Sequence, residues 1–199
     1  MASSTKVILH RHGKAADAGN KPAMILHRLL PLWLLATPAC ATQIELTPAT
    51  STVGIRFYGL GLLPIDGNYT RFSGRLSYDP ADRSHCQVDL TADTASLTMA
   101  NTMIRDKVVG PELMDTARYP TLAFTGACQG PALQGALTMH GITHAFDMTL
   151  DWLRDRLVAT GRLHRVDWGL TARLFLGGTT VRIQVSATLP SDVQGAPGR

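Results

Sequence analysis

The stretch Ala136-Leu-Thr-Met-His140-Gly141-Ile-Thr-His144-Ala-Phe-Asp-Met-Thr-Leu-Asp151 decides the fold class of this chain. Leu137 and Met139 alternate with polar or small neighbours up to His140-Gly141; beyond it His144, Phe146, Met148 and Leu150 alternate with Ala145, Asp147, Thr149 and Asp151. A period of two on both sides of a two-residue turn signal is a β-hairpin with one apolar face. Hairpins of this kind, closed into a sheet with the apolar face inward, form a natural container for a greasy ligand.

The same period continues in both directions. Thr52 to Tyr58 places Val53, Ile55 and Phe57 on one side, and Arg71 to Tyr78 sets Phe72, Leu76 and Tyr78 opposite Arg71, Ser73, Arg75 and Ser77. Between them, Leu60 to Asp66 is rich in Gly and Pro and reads as a loop. Asp79-Pro80 is a turn, followed by strands at His85–Thr91 and near Ser96–Met99. The period changes from Asn101 to Tyr119, where Asn101 is a plausible N-cap for a short helix through Arg105-Asp106 to Val109. Gly110-Pro111 stops that helix, and Pro111–Asp115 offers a second helical turn. Strands resume at Thr121–Cys128, Ala132–His140, Thr143–Trp152, Leu157–His164 and Thr179–Leu189. About eight strands, short turns and one helical insertion predict an all-β antiparallel barrel or sandwich; periodicity alone does not choose between them.

The first 41 residues differ from this body. Met24 to Arg28 gives a charged start, Leu29-Leu-Pro-Leu-Trp-Leu-Leu35 an apolar core, and Ala39-Cys40-Ala41 small residues at a cleavage position. This pattern reads as a secretory leader, with Met24 an alternative start, and the apolar run is too short for a stable membrane span. Lipidation would need Cys40 as the first mature residue, and Thr37-Pro38-Ala39 is a poor approach to it. The expected organisation is a leader at 1–41, one barrel domain at 42–190 and a disordered Gly- and Pro-rich tail at 191–199.

Removing the leader also removes the charge excess. The formal net charge is +4, but Lys6, Arg11, Lys14, Lys21, Arg28 and the single acid Asp17 all precede residue 42, leaving fourteen basic and fourteen acidic residues. Nucleic acid is therefore not an expected partner. Cys86 and Cys128 remain, each in phase with inward-looking neighbours, and antiparallel neighbouring strands would bring them side by side as a disulfide.

Several segments, in order, carry a resemblance. Thr47 to Phe57, Phe72-Ser-Gly-Arg-Leu-Ser-Tyr-Asp-Pro-Ala-Asp82, Arg105-Asp106, Ala117 to Phe124, Leu137-Thr-Met-His-Gly-Ile-Thr143 and Arg165-Val-Asp-Trp-Gly-Leu170 are similar to the YceI-like family of lipid/polyisoprenoid-binding proteins. The resemblance spans residues 43–189. It implies a lipocalin-like, eight-stranded antiparallel β-barrel, exported to the bacterial periplasm, whose elongated cavity holds an isoprenoid or similar amphiphile. Family members often carry more Lys and Glu in the helical insertion, where this chain has Val108-Val109-Gly110-Pro111.

On that reading the candidate ligand-contacting residues come from seven alternating strands: Phe57; Leu76 and Tyr78; Leu90; Phe124; Met139; Phe146, Met148 and Leu150; Val181, Ile183 and Val185. The competing role for each is plain core filling, since small barrels usually pack their interiors with side chains. No cofactor is expected beyond a bound isoprenoid, and the further partner considered is a membrane redox protein. An enzyme or metal site would draw on His140, His144, Asp147 and His164, but the His-x₃-His spacing falls across a turn, where it does not ensure convergence. There is no Gly-x-Ser-x-Gly elbow, and Gly177-Gly178 reads as a turn between strands. Arg105-Asp106 is either a clamp at the cavity mouth or a surface pair.

Overall fold

The computed structural model describes residues 41–59, 62–172 and 178–190. The leader and tail readings therefore fall largely on residues outside the described ones. Among the described residues, eleven strands form one antiparallel sheet: β1 (Thr42–Leu46), β2 (Ser51–Gly59), β3 (Leu63–Tyr69), β4 (Phe72–Tyr78), β5 (Cys86–Asp93), β6 (Leu97–Met99), β7 (Thr121–Gln129), β8 (Ala132–Met139), β9 (Ile142–Trp152), β10 (Arg156–His164) and β11 (Thr180–Thr188). The helix α1 (Thr102–Val109) lies between β6 and β7.

The expectation of eight strands and the count of eleven describe the same object. β3 runs into β4 through Thr70-Arg71, and β5 runs into β6 through a 3-10 turn at Thr94–Ser96. Pairing moves from Tyr69 opposite Leu97 to Phe72 opposite Ala92, so three steps on one strand match five on the other. Extra residues of this kind bend a strand while keeping it paired. Hydrogen bonds from Asp93 N to Arg71 O (2.9 Å) and from Arg71 N to Ser96 Oγ (3.1 Å) hold the corner. β1 and β2 are likewise two halves of one strand, offset by the turn at 47–50.

Counted this way, eight long strands follow one another in chain order. β11 pairs with β2, so Val53 faces Val185 on one side and Tyr69 on the other, and the circuit of ladders closes. Closure removes the unpaired edges that would otherwise invite aggregation. Periodicity left barrel and sandwich open; this ladder decides for the barrel.

Two corrections to the sequence reading concern local chemistry. Leu63 to Asp66, expected in a loop, begins β3, where Pro64 sits opposite Tyr58 near the strand start. Pro111–Asp115 is not helix: residues 111–114 are turns, Asp115 is left-handed at φ 42°, and Met114 N donates to Val108 O at 3.0 Å. The helix cap itself is as expected: Asn101 Oδ1 accepts from Ile104 N at 3.1 Å.

The hairpin that decided the fold joins β8 to β9 through His140 (φ 52°) and Gly141 (φ 76°). Two successive positive φ values are the type I′ geometry that matches strand twist. Along β9 the alternation holds, with Phe146, Met148 and Leu150 all buried and Asp147, Thr149 and Asp151 exposed.

Cys86 and Cys128 form a disulfide between β5 and β7, with their Cα atoms 4.7 Å apart. Their register follows from Gln87 opposite Ala127, one residue along.

Candidate functional site

The barrel has two unlike ends. One carries α1, the His140-Gly141 turn and the 3-10 turn Arg165–Trp168; the other carries the 79–85 connection, the β7–β8 turn and the β9–β10 turn. We call these the helix end and the far end.

Among the described residues, two cavities lie in the interior. The inner one, about 50 Å³, is lined by Leu76, Leu90, Phe124, Phe146, Met148, Leu150 and Val185 among others, all apolar except for the Tyr69 hydroxyl. The second, about 70 Å³, lies toward the helix end and is bounded by Phe57, Val108, Met114, Met139, Val181 and Arg165. Ile55, Tyr69, Leu122 and Ile183 line both, forming the waist between them. At roughly 10–15 Å³ per water, each cavity has room for only a few water-sized spheres. Side chains fill most of the lumen, so a long chain would enter only as they move.

Eleven of the twelve residues singled out from the sequence line one cavity or the other. Tyr78 lines neither. It is inward and buried as its alternation requires, but it packs at the far end against Trp152, with ring centroids 5.1 Å apart. Arg83 lies over that indole at 5.3 Å, so this cluster caps the barrel floor.

Phe124 and Phe146 occupy the middle of the lumen, edge to face at 6.2 Å. Gly126 and Gly135, opposite each other on β7 and β8, make room for the Phe124 ring; a Cβ on Gly126 would come within 2.8 Å of its Cζ. Gly161 of β10 plays the same part for Phe146. Trp168 closes the helix end above them. It is buried, donates from Nε1 to Leu137 O at 3.1 Å, and meets Phe146 edge-on at 6.4 Å. The Arg165-Val-Asp-Trp-Gly-Leu170 motif is thus a plug, held by Gly169 at φ 74°.

Two polar groups break the apolar lining, and the sequence reading singled out neither as a site residue. Tyr69 is 4% exposed; its side chain makes no hydrogen bond among the described residues, and burial pushes its hydroxyl well above the usual phenol range. Arg165 is 9% exposed; its Nη1 donates to Leu170 O and its Nε to Gly178 O at 3.4 Å. Desolvation lowers the guanidinium pKa from its ordinary value.

The histidines stay apart. His140 packs tilted against Tyr119 with ring centroids 4.2 Å apart, His144 Nε2 lies 3.0 Å from Asp167 O, His164 Nδ1 lies 3.4 Å from Thr180 Oγ1, and Asp147 points outward. Among the described residues no three His, Cys, Asp or Glu side chains gather to hold a metal. Arg105 and Asp106 form the surface pair, Nη1 to Oδ1 at 3.0 Å, and Arg105 is also a staple: Nε and Nη2 donate to Leu97 O (3.0 Å) and Ala95 O (2.8 Å), fixing α1 to the β5–β6 strand.

A closed antiparallel barrel with an apolar lumen partitioned into two cavities is the class of architecture that the fold and the site define. Residues 45–189 match the YceI-like domain, and the chain belongs to that family. Curated relatives include the UPF0312 proteins of Vibrio cholerae, 27% identical over 152 residues, covering 68% of this chain and 80% of theirs. Among solved structures, BcnA of Burkholderia cenocepacia superposes with a TM-score of 0.59 at 20% identity, covering 72% of this chain and 98% of BcnA. A polyisoprenoid-binding domain from Saccharophagus degradans gives 0.51 at 16% identity, covering 74% of this chain and 98% of that domain. These likenesses establish the lipocalin-like barrel.

Proposed function

We propose that this protein is an exported carrier that shelters the chain of an isoprenoid lipid, or a similar amphiphile, inside its barrel and performs no chemistry on it. The observation that carries this reading is the pair of stacked cavities, whose walls are carbon except at Tyr69 and Arg165. Each CH₂ taken from water contributes about 0.8 kcal/mol, so even a few isoprene units supply a large gross driving force. Ordering of the chain and displacement of side chains oppose it. Met114, Met139 and Met148 are unbranched and suited to yielding space. Family membership and the polyisoprenoid-binding relative support the ligand class, with a quinone-like molecule inside it. A disulfide between Cys86 and Cys128, with the leader pattern at 1–41, supports residence in the periplasm.

The helix end is the side from which lipid would enter. Leu62 (83% exposed) and Met103 (68%) stand out from it, joined by Leu63, Ile142 and Val166. Most of the exposed large apolar groups lie at this end, with Leu153 at the far end apart from them, and such a collection suits contact with a lipid surface. The test is transfer of a fluorescent geranylgeranyl probe between phosphatidylglycerol/phosphatidylethanolamine vesicles. The delipidated protein should take up the probe, and Met103→Asp should slow uptake without changing the melting temperature. Absence of any uptake by the folded protein would overturn the carrier reading.

A further inference from the structure

Arg165 is the one charged residue buried among the described residues. Its environment is unusual in a specific way. It borders the helix-end cavity, yet it takes part in no ion pair among the described residues, and its polar partners are the carbonyls of Leu170 and Gly178. Carbonyl dipoles ease the burial of a guanidinium but leave its unit charge uncompensated, a costly arrangement in an apolar wall. Two hydrogen bonds to carbonyls would be served equally by a neutral donor. The charge itself has no structural task that these contacts explain. Nη2 makes no hydrogen bond among the described residues, so the group retains donors for something in the cavity.

We propose that Arg165 is the head-group site of the lumen, and that the ligand is a single-chain amphiphile ending in an anionic oxygen group, a carboxylate or a phosphate. This rests on the carrier reading and narrows it. The planar fork of an arginine matches the oxygens of either group, and charge-assisted hydrogen bonds are the strongest of their kind. With the head on Arg165, the chain passes the waist at Tyr69 and runs into the inner cavity beside Phe146 and Met148. A head group here also neutralises the buried cation, so occupancy and local stability rise together.

Three probes with one tail separate the possibilities: farnesol, farnesoic acid and farnesyl monophosphate, titrated below their aggregation limits into delipidated full-length protein. At least one acid should bind about tenfold or more tightly than the alcohol, and the tighter of the two names the source of the anion. Arg165→Gln should abolish that preference while farnesol binding persists; Arg165→Lys should retain part of it. Equal binding of all three by the unmodified protein would overturn the assignment even if Arg165→Gln fails to fold, and so would a preference that survives Arg165→Gln. If farnesol and both acids all fail to bind, the carrier reading itself falls, and this assignment with it.

Discussion

Replacing Phe146 with alanine separates a ligand chamber from a packed core. The ring is 5% exposed, lies against the notch at Gly161, and meets Phe124 at 6.2 Å and Trp168 at 6.4 Å, both edge to face. Truncating a buried phenylalanine costs about 3–5 kcal/mol. Losing two aromatic partners, each worth about 0.5–1.5 kcal/mol beyond area burial, places Phe146→Ala at the upper end of that range. The space released joins the inner cavity, whose lining is apolar. An isoprenoid should therefore enter the variant more readily than the parent. Urea denaturation of the delipidated protein measures the loss, and repeating it with farnesol at about 100 times its dissociation constant should restore about 2.7 kcal/mol. A loss under about 2 kcal/mol would show that the ring is not packed as described. A full loss with no recovery at any farnesol concentration would show that the lumen is only a core.

Three other outcomes follow from the structure. The disulfide closes a separation of 42 residues, so Cys86→Ala/Cys128→Ala should lose about 4 kcal/mol on the chain-entropy estimate, read by urea denaturation, and the denatured parent should show neither Cys86 nor Cys128 as a free thiol. Asp66 and Asp93 are held below the ordinary carboxylate range by hydrogen bonds from Arg56 and Arg71. Because their folded values are depressed, their contribution is present above the unfolded value of about 4 and lost as pH falls through the folded values; melting temperature should be flat from pH 7 to about 5 and fall below it, by less in Arg56→Gln. Both pairs are exposed, so the effect is small. At the β8–β9 turn, His140→Val should cost about 1–2 kcal/mol because φ is 52°, whereas His140→Gly should remain near the parent in thermal melts.

What the sequence disclosed depended on whether the information was local. The hairpin around His140-Gly141 was legible because its alternation and turn geometry are set within a few residues. β3 was not, because Pro64, Asp66 and Gly67 have the chemistry of a turn, while the strand is made by pairing with β2 and β6. β1 was hidden by its brevity and by lying directly after the leader pattern. Alternation told which side chains face inward but not how much room they leave, so Tyr78 was placed with the ligand wall when it belongs to the barrel floor. Tyr69 and Arg165 were missed for a related reason. The first lies on the unrecognised strand, and the second is buried only because the turn after β10 folds over the barrel end.

Organic extraction of the protein purified from its native cells, followed by mass spectrometry of the extract, tests most directly whether this barrel carries a lipid chain. A stoichiometric isoprenoid or fatty amphiphile, missing from a similarly purified control protein, is the expected result. Repeated extraction of folded protein without any such molecule would contradict the carrier reading.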